Sequence, residues 1–130
     1  MNRLFGLAER MKEQKINLIL IQIDEAHSDA WPMAIDILLN VPLAKSHKTF
    51  QDRIDRAKYF KETYNPPFDL YIDGWNNEFA ESFRAWPDKY YCINKDKKVI
   101  AKSEYNKHGS KEATVIVDVT IFIEELIDSL

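Results

Sequence analysis

The sequence predicts a mixed α/β fold, and three observations carry that expectation. Two short β-branched or aromatic runs, INLILIQI at residues 16–23 and FDLYI at residues 68–72, are separated and flanked by stretches whose apolar residues recur at helical spacing. Two further short runs alternate on either side of NKDK, residues 94–97, as the arms of a β-hairpin do. The chain then closes on an apolar stripe that fits one face of a helix.

Each element has its own local reason. Asn2 can cap a first helix whose Leu4, Leu7, Ala8 and Met11 follow the i, i+3, i+4, i+7 spacing of one buried face. Residues 16–23 read as a strand almost too apolar for a sheet edge. A loop with Pro32 and Pro42 follows, with a short helix expected at residues 33–39. Thr49, with Asp52 three residues on, is a shortened capping box that opens the clearest helix, with Phe50, Ile54, Ala57, Lys61 and Tyr64 on one side. Pro66 and Pro67 end it, and residues 68–72 form the second strand. Asn76 is expected to cap a helix that turns Phe79, Ala80, Phe83 and Trp86 inward until Pro87. The hairpin pairs residues 89–94 with 98–102. From about Asp118 a last helix carries Val119, Phe122, Ile123, Leu126, Ile127 and Leu130 inward.

The order α-β-loop-α-β-α-β-β-α is that of a thioredoxin-type sandwich, a central mixed β-sheet flanked by helices. That fold opens on a central strand with the redox nucleophile at its end, whereas this chain starts in the helix. The expectation is therefore a thioredoxin-like fold truncated at its N-terminus. Its strand at residues 16–23 would keep an open lateral edge that invites a homodimer, unless the two early strands pair directly.

Composition sets bounds on function. In 130 residues, 45% of them hydrophobic, a single domain spanning 1–130 has enough apolar material for a core. With 18 basic against 21 acidic side chains and lysines scattered along the chain, no concentrated basic stripe exists, and no nucleic acid is expected as partner. No run approaches the ~20 apolar residues of a membrane span, and residues 1–15 lack the apolar centre of a signal peptide. The expected location is cytoplasmic, with any membrane anchor lying upstream. The single cysteine, Cys92, rules out an internal disulfide and a cysteine-rich zinc site.

Chemistry concentrates in IQIDEAHSDAW, residues 21–31, where acids surround a histidine at the C-terminal end of a strand, a usual place for α/β sites. His27 can move a proton there, with Glu25 or Asp29 biasing its charge and tautomer; the bland alternative is a loop histidine bonded to its neighbouring acids. Asp24, Glu25, His27 and Asp29 could in principle ligate a metal. Adjacent acids on an extended segment point to opposite faces, however, and no second histidine stands at helical spacing, so no metal is expected. Trp31 and Trp75 either line a cleft for an aromatic ligand or cover the core. His108, in a lysine-rich loop, is expected to be solvated, and Cys92, mid-strand, to be a buried structural thiol rather than a nucleophile.

IDEAHSDAW resembles the EEAHxSDGW signature of the iodothyronine deiodinases, selenoenzymes of the thioredoxin superfamily. His47-Lys48-Thr49-Phe50-Gln51-Asp52-Arg53 and Trp86-Pro87-Asp88-Lys89-Tyr90-Tyr91-Cys92-Ile93 are similar, in order and spacing, to that family's later segments. The chain departs from the signature by one residue missing between His27 and Ser28 and by Ala30 in place of glycine. The resemblance implies reductive dehalogenation of an iodothyronine or similar aromatic substrate, with His27 and Glu25 catalytic, His47 and Trp31 contacting substrate, and a thiol reductant as cosubstrate in place of any bound cofactor. It also implies a selenocysteine just before Met1, reached if the reading frame continues upstream through a UGA codon. As written, the chain then lacks its nucleophile. A catalytically inactive thioredoxin-like module that binds a ligand or partner is the alternative, and a thiol peroxidase using Cys92 a weaker third.

Overall fold

A computed structural model describes residues 2–25, 28–30, 44–86, 89–103 and 119–130. The described elements are α1 (Asn2–Gly6), α2 (Ala8–Glu13), β1 (Ile19–Gln22), α3 (Phe50–Tyr64), β2 (Asp69–Ile72), α4 (Glu78–Phe83), β3 (Tyr91–Ile93), β4 (Val99–Lys102) and α5 (Val119–Ser129). The fold is mixed α/β. The short helix expected at 33–39, and His108, lie outside the described residues. Instead of one mixed sheet, the described strands form two two-stranded sheets, β1 with β2 and β3 with β4. The two early strands pair directly with each other, the arrangement that counts against an N-terminally truncated sheet with a lateral edge left open for a missing central strand. No helix among the described residues is long and apolar enough to cross a membrane.

The chain divides into two compact units. The first takes residues from 1–20, 65–69 and 88–130. Leu4, Leu7 and Met11 meet Ile123 and Ile127 of α5 in its core, with Phe5, Ile16, Leu18, Phe68 and Phe122 packed around them. The expected first helix is present in two pieces. Gly6 weakens the helix by its backbone freedom, the Leu7 amide bonds three residues back to Leu4 O at 3.1 Å, and α2 restarts with Met11 N on Leu7 O at 2.9 Å. The apolar face survives the break because its members point the same way on both sides.

Strand β1 is shorter than the apolar run that predicts it, and the reason is local. Lys15 takes a left-handed φ of 56°, which lets Lys15 N reach Lys12 O at 3.0 Å and Ile16 N reach Met11 O at 2.8 Å. This is the paired bond pattern of a Schellman ending. Ile16 and Leu18 are thereby spent on the first core. In the hairpin, Tyr91 faces Lys102 and Cys92 faces Ala101. The Asn94 carboxamide oxygen accepts from Asp96 N and Lys98 N, each at 3.0 Å, and Lys97 supplies the left-handed φ of 61° that the turn needs.

The second unit takes residues from 21–64 and 70–87, and its core is small: Ile23, Ala80 and Ala85, with Ile21 and Phe79 against them. The capping box of α3 forms as expected. Lys48 N and Thr49 N donate to Asp52 Oδ2 at 2.8 and 2.7 Å, while Asp52 N donates to Thr49 Oγ1 at 3.2 Å. The inward face of α3 keeps Ala57 and the half-buried Ile54 of the expected one but is shifted toward Arg53. Arg53 and Ala57 are buried, whereas Phe50, Lys61 and Tyr64 are exposed. Helix α4 also departs. Its cap is Asp73, whose two carboxylate oxygens accept from Phe79 N and Ala80 N at 2.9 Å each, while the Asn76 amide donates to Glu78 on the surface. Arg84 turns left-handed at φ 49° and ends the helix, so Ala85 goes inward and Phe83 and Trp86 stay exposed.

Candidate functional site

The site is built where β1 ends, within the second unit. Asp73 N bonds to Gln22 O at 2.8 Å, which sets the β2–α4 turn beside the acids that follow β1. From α3, Arg53 reaches into this turn. Its Nη1 donates to Asp73 O at 3.2 Å and Gly74 O at 2.7 Å, and its Nη2 to Asn77 Oδ1 at 2.8 Å. The guanidinium lies 5.2 Å from the centre of the Trp75 ring, a cation–π distance. Trp75 thus covers this cation, which is 1% exposed. Its charge has an anionic counterpart in Asp24, with Nη2 to Oδ1 at 3.9 Å.

The same Asp24 oxygen faces His47, 3.7 Å from Nδ1. Sequence reasoning allows for a surface histidine before a helix, yet this side chain is only 3% exposed. Neither ring nitrogen finds a hydrogen-bond partner among the described residues. Desolvation is the largest influence and holds the imidazole below its ordinary pKa; Arg53 and Arg56 push the same way, against Asp24 and Glu25. A neutral imidazole with a free N–H and a free lone pair can both donate and accept.

Glu25 is half-buried, and its Oε2 accepts from Arg56 Nε at 3.3 Å. On the other side of His47 the chain is tied by Ser46 N donating to Asp29 Oδ1 at 2.8 Å, by Asp29 N donating to Ala44 O at 2.9 Å, and by a bridge from Ser28 to Ala44. The Ser46 amide holds the Asp29 carboxyl below its ordinary value, as the Lys48 and Thr49 amides do for Asp52. Ser28 is itself buried, with no hydrogen-bond partner for its hydroxyl among the described residues. An open groove of about 430 Å³ passes over His47, lined by Asp29, Ser46, Asp52, Asp55 and Arg56 among others.

Of the residues singled out from sequence, Glu25 and His47 stand in this cluster, and His27 and Trp31 lie outside the described residues. Among the described residues no group of three or more His, Cys, Asp and Glu side chains converges as a metal site. Cys92 is half-buried in β3, and burial raises its thiol pKa, the reverse of what a reactive thiolate needs. Sequence reasoning missed Arg53 and Arg56. The available signal was the i, i+4 alignment of Arg53 with Ala57, a charge in line with a small residue on a helix that needs a buried face.

An α/β fold with this polar cluster at a strand end belongs to the class that builds sites beyond the carboxyl ends of strands. The family model of the iodothyronine deiodinases matches residues 6–113, and the chain belongs to that family. Membership implies the thioredoxin-like fold. No curated protein matches the chain, and no solved structure does.

Proposed function

We propose that this chain is a thioredoxin-like, deiodinase-type oxidoreductase domain, that the complete protein dehalogenates an iodothyronine or a similar aromatic substrate, and that the nucleophile is not among these 130 residues. The observation that carries the reading is the family match across residues 6–113. In the implied reaction a selenolate attacks the aromatic iodine. The selenium–iodine bond forms as the carbon–iodine bond breaks, and the ring carbon takes a proton. Two external thiols then release iodide, regenerate the nucleophile and leave as a disulfide. His27 is the proton donor and Glu25 biases its charge and tautomer. His47, whose ring nitrogens have no hydrogen-bond partner among the described residues, contacts the substrate, and Trp31 offers an aromatic face.

The raised Cys92 thiol favours a second reading of these residues, a ligand-binding module without redox chemistry of its own. The test is iodide release from an iodinated phenol with dithiothreitol, measured on the native gene product alongside binding of the same phenol. Turnover that survives Cys92→Ser supports the first reading, and saturable binding without iodide release supports the second. Turnover abolished by Cys92→Ser, or neither binding nor turnover, overturns both.

A further inference from the structure

We infer that Arg53 is a positioning residue of this site: by sharing one carboxylate oxygen of Asp24 with the His47 ring, its guanidinium helps burial hold that ring in the uncharged form. The inference rests on reading His47 as a substrate contact. Its geometric basis is the single oxygen Asp24 Oδ1, which stands 3.9 Å from Arg53 Nη2 and 3.7 Å from His47 Nδ1 while also accepting from Glu25 N at 3.0 Å. Neither side chain is close enough to claim the carboxylate by a hydrogen bond, so the two compete for it electrostatically.

Arg53 is the fixed member of that competition, because it can neither leave nor discharge. Three hydrogen bonds to Asp73 O, Gly74 O and Asn77 Oδ1 pin it, Trp75 covers it, and a guanidinium stays protonated at any pH a fold survives. Among the described residues, the groups that face His47 are Asp24 and Glu25 from the end of β1, and Asp52, Arg53 and Arg56 from α3. Glu25 is engaged by Arg56, and Asp52 is engaged by the Lys48 and Thr49 amides. Arg53 offsets part of the pull of Asp24 on the ring, which leaves desolvation, the largest influence, to keep it neutral. Without the Arg53 charge, Asp24 would act on His47 with less opposition. The protonated ring, with two donors and no acceptor, would then form more readily.

The experiment is an NMR titration of the histidine rings in the substrate-free native protein, with His47 assigned by its absence in His47→Leu. Arg53→Met is expected to raise the proton affinity of His47 about tenfold or more, and Asp24→Asn to lower it by a similar factor. Arg53→Lys, which keeps the charge, should stay near the wild type. A purely structural Arg53 would lower the melting temperature of Arg53→Met and leave the His47 titration where it was, and that result overturns the inference. If Arg53→Met does not fold, the other two variants decide: an unchanged titration in Asp24→Asn, or a tenfold rise in Arg53→Lys, overturns it equally. Because no turnover is read, a failed dehalogenation assay leaves this outcome standing, and an unchanged titration leaves the proposed reaction standing.

Discussion

Replacing Asp73 by alanine is expected to be the most damaging single change at the start of α4. Asp73 is 5% exposed, and its two oxygens accept from the Phe79 and Ala80 amides at 2.9 Å each. Ala80 is in the core, so water cannot replace the lost acceptor without opening it. A charge-assisted hydrogen bond is worth about 1.5–3 kcal/mol, and an orphaned buried donor costs about 1–3 kcal/mol. Counting each amide once, and allowing the more exposed Phe79 N–H to regain part from water, Asp73→Ala should cost about 2–4 kcal/mol. At roughly 4 °C per kcal/mol for a domain of this size, the midpoint falls by about 8–16 °C. Asp73→Asn keeps one acceptor and should lose about half as much. Asn76→Ala removes only a surface bond to Glu78 and should stay within about 0.5 kcal/mol. Urea unfolding followed by circular dichroism measures all three. An Asn76→Ala that costs more than Asp73→Ala would refute the assignment of the cap.

Three further outcomes are expected. The folded His47 ring binds its proton less readily than the free ring with pKa 6.5, so the unfolded chain takes up protons first. Stability should therefore decline as pH falls below about 6.5, until the folded ring is protonated as well. In His47→Leu, which replaces two nitrogens without a partner among the described residues by an apolar group, stability at pH 7 should be equal or higher and its loss in that window should vanish. The depressed Asp29 and Asp52 carboxyls act separately, from below 3.8, and a variant that keeps the decline from 6.5 would show another group to be responsible. Lys15→Gly relieves the left-handed φ at the end of α2 and should stabilise by about 0.5–1 kcal/mol in a urea titration; a net loss would mean the Schellman ending is not held in solution. For the proposed reaction, His27→Ala should cut turnover by about 10²–10⁴ with little change in midpoint, and Glu25→Gln should move a limb of the pH–rate profile more than its maximum. Normal turnover with a lowered midpoint in His27→Ala would make that histidine structural.

Much of this protein is legible along the chain because its causes are local. The Thr49–Asp52 box forms because both partners stand on the first turn of the helix they cap, and the Asn94 turn because its acceptor and donors lie within four residues. The acids after β1 mark the site for the same reason, since a strand end is read from where its apolar run stops. What the sequence could not decide are matters of competition between distant groups. Asn76 and Asp73 are equally able to cap α4, and only the path of the turn after β2 aims the Asp73 carboxylate at the helix amides. Helical spacing shows that α3 has an inward face, but apolarity alone nominates Phe50 and Tyr64. Arg53 takes that face because the carbonyls of Asp73 and Gly74, the Asn77 side chain and the Trp75 ring, twenty or more residues on, bind its two terminal nitrogens and cover a buried cation. The burial of His47 was decided in the same way. Its neighbours in sequence, Ser46 and Lys48, are polar, and only tertiary packing brings Asp24 and Arg53 against it. Charge and desolvation act through space, and that distance is not written in the spacing of residues along a chain.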